Sequence, residues 1–447
     1  MRSSPWILLI VLLVLTAIGG WLITQPRVLD LQPPPDATAV PGSAALRLSF
    51  SHPMQTESVH QRLQIDPLPA GDFHWEGKTL VFTPLKPWQS GATVHVRLSR
   101  GARTQTFPTR SLNHTVEWSF QIGYPKVIYL FPAEGEAALY QLDPLSGKVQ
   151  VLSANGQEVL DYSLSASGAV IIFDVRQGNG SAIFRWQNSQ TAGEPLLTFP
   201  AGQVRAAQLS PSGNYLAYEL TDLREPNAKT HVWVTNYPPQ GDQGIRLGAA
   251  DQLTRSPLWS GQDILAYYDQ TNRHYRFYDP RTQQEIGTIR GETGEKGAWS
   301  PDGETFLFAE ILADGGQYPT SHLLAFHLPT LQLTDLTERN DVEDLGGVFS
   351  PQGDRLVFGR KFLDALHWTP GRQPWMLNLL QREAFPLLTE PHYNHYDFVW
   401  SPNGDQILFV RFNLMSLTDS PEIWIMNADG TQPRQLVKGG FAPQWMP

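Results

Sequence analysis

Trp299-Ser300-Pro301-Asp302-Gly303-Glu304-Thr305-Phe306-Leu307-Phe308 decides the fold, because it reads as a strand end, a tight turn and the start of a second strand. Serine accepts at the first turn position, proline pre-sets φ at the second, and aspartate fills the third. Glycine then takes the left-handed conformation that closes a type I turn with a bulge. The pattern recurs. Ser210-Pro211-Ser212-Gly213 precedes Tyr215–Tyr218, and Ser350-Pro351-Gln352-Gly353 precedes Leu356-Val357-Phe358. Trp400-Ser401-Pro402-Asn403-Gly404 precedes Ile407-Leu408-Phe409. Ser165-Ala166-Ser167-Gly168 lacks the proline, and Ser260-Gly261-Gln262-Asp263 has a shortened turn.

Aligned on the turn serines 165, 210, 260, 300, 350 and 401, the intervals are 45, 50, 40, 50 and 51 residues. That is the repeat of a four-stranded propeller blade, roughly 40–50 residues. Later strands match too, in His231–Thr235, Leu323–His327 and Ile423–Asn427 followed by Arg434–Val437. These units resemble TolB-type β-propeller repeats, related in architecture to WD-repeats. The match is carried by Trp-Ser-Pro-Asp-Gly at 299–303 and Met-Asn-Ala-Asp-Gly at 426–430. The resemblance covers residues 124–447 and implies a propeller. TolB's partners do not carry over, since TolB has an α/β domain where this chain has a β module.

Val127–Leu130, Ala138–Leu142 and Lys148–Leu152 form three strands without an inner one, and the chain ends on Phe441–Pro447, an inner strand without a blade. Pairing them closes the ring and removes a sheet edge. Seven blades result, or six if the unit at Ser165 is not a blade.

Upstream, period-two alternation in Leu46–Phe50, Val94–Leu98 and Val116–Ile122, with Gly/Pro punctuation, predicts half-buried strands of a small sandwich. Phe50-Ser51-His52-Pro53-Met54, Gly71-Asp72-Phe73-His74-Trp75, Leu80–Pro84 and Trp118-Ser119-Phe120 resemble the bacterial Ig-like domains of exported and surface-layer proteins. The resemblance implies a spacer or adhesion-type module. Residues 5–23 are one uncharged apolar run with Trp6 and Trp21 near its ends. Nineteen residues at about 1.5 Å each nearly span a hydrocarbon core of about 30 Å. The predicted architecture is therefore all-β beyond an N-terminal transmembrane helix. It comprises a signal anchor (1–25), a Pro-rich linker (26–35), an Ig-like β-sandwich (36–123) and a TolB-like propeller (124–447). The expected location is the cell membrane, single-pass, with the bulk extracytoplasmic. Ala17-Ile18-Gly19 offers the alternative of signal cleavage and secretion.

Composition narrows the chemistry. With no cysteine, disulfides, thiolate zinc sites, a cysteine nucleophile and a lipidated N-terminal cysteine are all excluded. Residues 26–123 carry 9 Lys/Arg against 7 Asp/Glu, whereas 124–447 carry 23 against 36. An acidic main domain argues against nucleic acid as a partner. Gly77-Lys78-Thr79 reads as a turn between strands, because its spacing from Gly71 misses a phosphate loop by one residue and no helix follows. There is no Gly-x-Ser-x-Gly elbow and no His-Glu-x-x-His.

His392-Tyr393-Asn394-His395-Tyr396-Asp397 enters the last blade, where His392, His395 and Asp397 could ligate a divalent metal. Some propeller polysaccharide lyases built on similar repeats use channel histidines around a metal. Against that stands a polar loop with aromatic packing. Asp341, Glu343 and Asp344 enter the preceding blade and, with Asp397, could make one mouth of the propeller acidic. With Tyr393 and Tyr396 they are the binding-face candidates. Trp299 and Trp400 sit at strand period and are expected in the inter-sheet core. The leading expectation is a non-catalytic module binding an envelope protein or surface glycan through a propeller face, without a cofactor. The alternative is a metal-assisted, lyase-like carbohydrate-active enzyme centred on His392 and His395.

Overall fold

The computed structural model describes residues 25–187, 192–225, 227–241, 243–312, 319–416 and 418–446. They divide into two compact units, 1–124 and 125–447. The transmembrane helix expected over residues 5–23 lies outside the described residues. Among those residues no helix is long and apolar enough to cross a membrane. Their one α-helix, Thr56–His60, has five residues, far short of the twenty or so that a span requires. For the described residues the architecture is corrected accordingly to all-β, with no membrane-spanning helix among them.

The first unit is a sandwich of a four-stranded and a three-stranded sheet. Val28–Gln32, Leu46–Phe50, Thr79–Pro84 and Gly71–Glu76 are neighbours in that order in the first. Leu63–Asp66, Thr93–Leu98 and Val116–Gln121 form the second. Alternation fixes which side faces inward: Leu46, Leu48 and Phe50 are buried, as are Val94, Val96 and Leu98. They pack around Trp88, whose indole Nε1 donates to Ala44 O at 2.9 Å. Gly77, at φ +63°, turns the chain with Lys78 between Gly71–Glu76 and Thr79–Pro84. Val28–Gln32 pairs with Leu46–Phe50, so part of the segment read as a linker is an edge strand of this sandwich.

Among the described residues the second unit contains seven four-stranded antiparallel blades, five of them separate sheets and two joined into one eight-stranded sheet. Blade 1 joins Lys126–Phe131, Ala138–Leu142 and Val149–Val151 to Phe441–Met446. Blades 2 to 7 follow at 159–199, 202–246, 254–290, 298–335, 342–386 and 393–438. A single parallel bridge, Ser321 to Glu343, links blades 5 and 6. The closing strand pairs Phe441 with Leu130 and Trp445 with Val127.

Both faces of every second strand are covered, which is why the residues after each turn form continuous apolar runs. Leu356 and Phe358 pack toward blade 5, while Val357 between them packs toward blade 7. Seven such apolar clusters fill the seven gaps around the ring.

The tryptophan before the turn serine adds a directional link. Trp259 Nε1 donates to Gln208 O, Trp299 to Leu258 O, Trp400 to Val348 O and Trp445 to Val399 O, at 3.1–3.3 Å. Each indole thus reaches the innermost strand of the preceding blade. Blades 2, 3 and 6 carry Leu164, Leu209 and Phe349 there. At the gaps before blades 3 and 6, Ser163 Oγ donates to Ala207 O, and Ser321 Oγ donates to Asp344 O.

Candidate binding face of the propeller

The innermost strands share a bulge. Four residues before the turn serine, Ala206, Ser256, Gly346 and Asp397 have φ between +52° and +64°. Ala442, in the same register of the closing strand, has φ +49°. Pairing with the second strand slips at each of these points. The equivalent positions of blades 2 and 5 are Asp161 and Lys296. Asp397 is exposed, and its electrostatic neighbours are Lys296 of blade 5 and Tyr162 of blade 2. Neither blade adjoins the other, so Asp397 faces the axis of the ring. Although solvent reaches it, the protein surrounding the axis desolvates its carboxyl and raises it above the usual carboxylate range, and Lys296 offsets part of that.

A bulge frees a backbone N–H, and at two blade gaps a carboxylate accepts it. Asp174 Oδ2 accepts from Ala207 N at 3.2 Å, and Glu219 Oε1 from Ser256 N at 2.6 Å. Both acids reach across from the second strand of the preceding blade. Asp174 is fully buried and its Oδ1 has no partner. Burial pushes its carboxyl well up, and Asp161 adds to the rise. Glu219 is raised for the same first reason.

An acid whose folded pKa is raised contributes stability below its unfolded pKa and loses it as pH climbs through the folded value. Asp174→Asn should therefore stabilise the propeller more at pH 8 than at pH 4, by about 1–3 kcal/mol at the alkaline end. Thermal unfolding of both proteins at the two pH values checks this, and equal shifts at both would refute it.

The histidine cluster is tied up differently from its sequence reading. His392 is exposed, while His395 is buried at 1 %. The two His395 ring nitrogens meet Arg372 O at 3.0 Å and Glu390 Oε2 at 3.1 Å. Glu390 also pairs with Arg411, whose guanidinium lies between the rings of Tyr393 (3.9 Å) and Trp424 (3.7 Å). Arg411 Nε donates to Glu422 Oε2 at 3.0 Å. Although burial opposes it, hydrogen bonds from His395 and Arg411 hold the Glu390 carboxyl down at about 2. Among the described residues no group of three or more His, Asp or Glu side chains could hold a metal ion. His395 is occupied within the fold, and Asp397 points to the axis. Tyr396 is half-buried, its hydroxyl pushed up to about 12 by burial.

The acidic mouth expected at blade 6 is neutralised residue by residue. Asp341 pairs with Arg339, and Glu343 with Arg372 at 3.2 Å. Fully buried Asp344 receives both arms of Arg360 at 2.8 and 2.7 Å. Arg360 in turn lies 4.9 Å from the Trp375 ring. Glu343 and Asp344 belong to the strand Val342–Phe349, not to a solvated loop.

Apolar side chains occupy the same face. The connection from the second to the third strand of blade 6 exposes Leu366 (91 %) and Trp368 (55 %). Ile311 and Met415 are exposed at the corresponding ends in blades 5 and 7. Lys361 Nζ lies 5.9 Å from the Trp368 ring.

Residues 23–122 match the family model of a bacterial Ig-like domain. Among solved structures, TolB from Acinetobacter baumannii is 12 % identical and superposes with a TM-score of 0.44 over 86 % of this chain and 83 % of its own. The β-propeller domain of the Trilobed protease from Pyrococcus furiosus is 12 % identical, with a TM-score of 0.48 over 63 % and 85 %. An oligogalacturonate lyase in complex with manganese is 14 % identical, with a TM-score of 0.37 over 71 % and 73 %. Among curated proteins, none matches the sequence. At these identities and scores the neighbours lend no activity to the chain, and the propeller assignment rests on its own sheet topology.

Proposed function

We propose that this chain is an extracytoplasmic, non-catalytic binding module that engages a protein partner through the loops where blades 5 to 7 receive the chain. The carrying observation is the pair Leu366 and Trp368, exposed at 91 % and 55 % on a loop of a closed, rigid ring. Tryptophan and arginine dominate binding hot spots, and apolar side chains projected by a rigid scaffold are what a partner's pocket covers. The charges behind this loop are already paired, so docking there desolvates few free ions. The placement outside the cytoplasm rests on the match of residues 23–122 to a bacterial Ig-like domain, a module type of exported and surface proteins. No specific observation favours the metal-assisted enzymatic reading, since His395 is engaged by Arg372 and Glu390.

The test is crosslinking in intact cells with a tagged full-length chain, followed by mass spectrometry. A stoichiometric partner should be captured, and the double variant Leu366→Ser/Trp368→Ser should reduce its capture at least about tenfold, since a hot-spot residue contributes about 2 kcal/mol or more. Capture unchanged in the double variant would overturn the assignment of this face.

A further inference from the structure

On the opposite face, near the serine turns, a cleft of about 260 Å³ opens between blades 3 and 4. Its walls include Tyr215, Thr235, Asn236 and Ile245 from blade 3, with Tyr278 and Gln283 from blade 4. None of its lining residues is charged. Tyr215 is held in place by stacking on Trp259, with ring centroids 6.2 Å apart. Thr235 and Tyr278 are only 8 % and 4 % exposed. Their hydroxyl oxygens open onto the cleft, and neither these hydroxyls nor the Asn236 and Gln283 amides bond a protein group among the described residues. Polar groups that open onto one cleft without a protein partner leave a bonding capacity that a ligand can fill.

We propose that this cleft is a subsite for one uncharged sugar residue of a glycan chain. Aromatic rings beside carboxamides and hydroxyls suit a pyranose, whose C–H face packs on an aromatic while its hydroxyls both donate and accept. The absence of a charged lining residue selects a neutral sugar over a uronate or a phosphate, which would lose hydration without gaining a counter-ion. The volume lies just below that of drug-sized pockets, roughly 300–1,000 Å³, and fits one ring. The site is separate from the protein-docking loops of blades 5 to 7, and each reading can fail without the other.

Saturation-transfer NMR on the full chain tests this, with methyl glycosides of glucose, galactose and N-acetylglucosamine as probes and galacturonate as the charged control. At least one neutral glycoside should bind, and galacturonate should bind more weakly. Asn236→Ala and Tyr278→Phe should each weaken binding at least fivefold. Gln283 has φ +57°, so Gln283→Gly removes the amide without straining the turn, and it should do the same. A thermal midpoint unchanged in Gln283→Gly separates loss of contact from loss of fold. No saturation transfer from any neutral glycoside would overturn the proposal, as would binding retained in Asn236→Ala and Gln283→Gly together. Partner capture through Leu366 and Trp368 should be unaffected by these variants.

Discussion

Truncation after Gly440 should abolish the cooperative thermal transition of the propeller and drive the protein to aggregate. The lost strand, Phe441–Met446, supplies the innermost element of blade 1. With it go Trp445 and Met446, both buried, one in the gap toward blade 7 and the other in the gap toward blade 2. Losing a buried tryptophan costs about 3–5 kcal/mol and a buried methionine about 2–5. Together they approach the 5–15 kcal/mol that usually holds a domain folded. Ala442 O, which accepts from Tyr162 Oη, disappears as well. The strand Lys126–Phe131 would then present an unpaired edge bearing Val127, Ile128 and Leu130, the kind of edge that recruits other chains. Calorimetry and gel filtration of the truncated protein check this. A transition within a few degrees of the intact chain would show that the ring does not need its closing strand. Trp445→Phe keeps an aromatic ring in the gap but removes the bond to Val399 O, and should cost about 1–3 kcal/mol.

Arg411→Ala should lower stability by about 3–5 kcal/mol at pH 7, the penalty for breaking a buried ion pair from one side. The substitution strips Glu390 and Glu422 of their shared cation and empties the space between Tyr393 and Trp424. Arg411→Lys should recover little, because an ammonium neither lies flat between two rings nor forks to two carboxylates. Acid discriminates further. Glu390, held at about 2, contributes stability that is present above its unfolded pKa and lost as pH falls from about 4.5 toward 2. Intact protein should therefore lose up to about 3 kcal/mol over that window, and Arg411→Ala much less. Urea unfolding of both proteins at pH 7 and pH 3 measures the convergence. Parallel losses at both pH values would mean that the network is not what Arg411 stabilises.

The propeller was legible because its information is local. A Ser-Pro-x-Gly turn followed by an apolar run specifies a hairpin within about ten residues, and the spacing of turns specifies the blades. Even the degenerate unit at Ser165 forms a full sheet, since Ser165 Oγ still accepts from Val170 N without the proline. The site residues were less legible because their partners are distant in sequence. His395 read as a ligand, while Arg372, whose carbonyl oxygen meets its Nδ1, lies 23 residues back, and Arg411, which pairs with its other partner Glu390, lies 16 residues on, with no motif joining them. Asp341, Glu343 and Asp344 read as an acidic run, but Arg360 and Arg372, which pair with Asp344 and Glu343, come from later segments of chain. Two signals could have been used. Asp174 interrupts the apolar run Val170–Val175, which marks a buried carboxylate. Counting four residues back from each turn serine would have placed Asp161, Lys296 and Asp397 in one ring.

The indole links have a consequence for how this molecule comes apart. A linear stack of repeats frays from its ends, because a terminal unit is held by one neighbour. In the ring every blade is held by two, through apolar clusters on both sides and, at four gaps, a tryptophan bond as well. Releasing one blade means breaking two gaps at once, so small openings are suppressed relative to complete ones. Amide hydrogens on the second strands of all seven blades should then exchange with nearly the same protection, as though the ring had no weakest repeat.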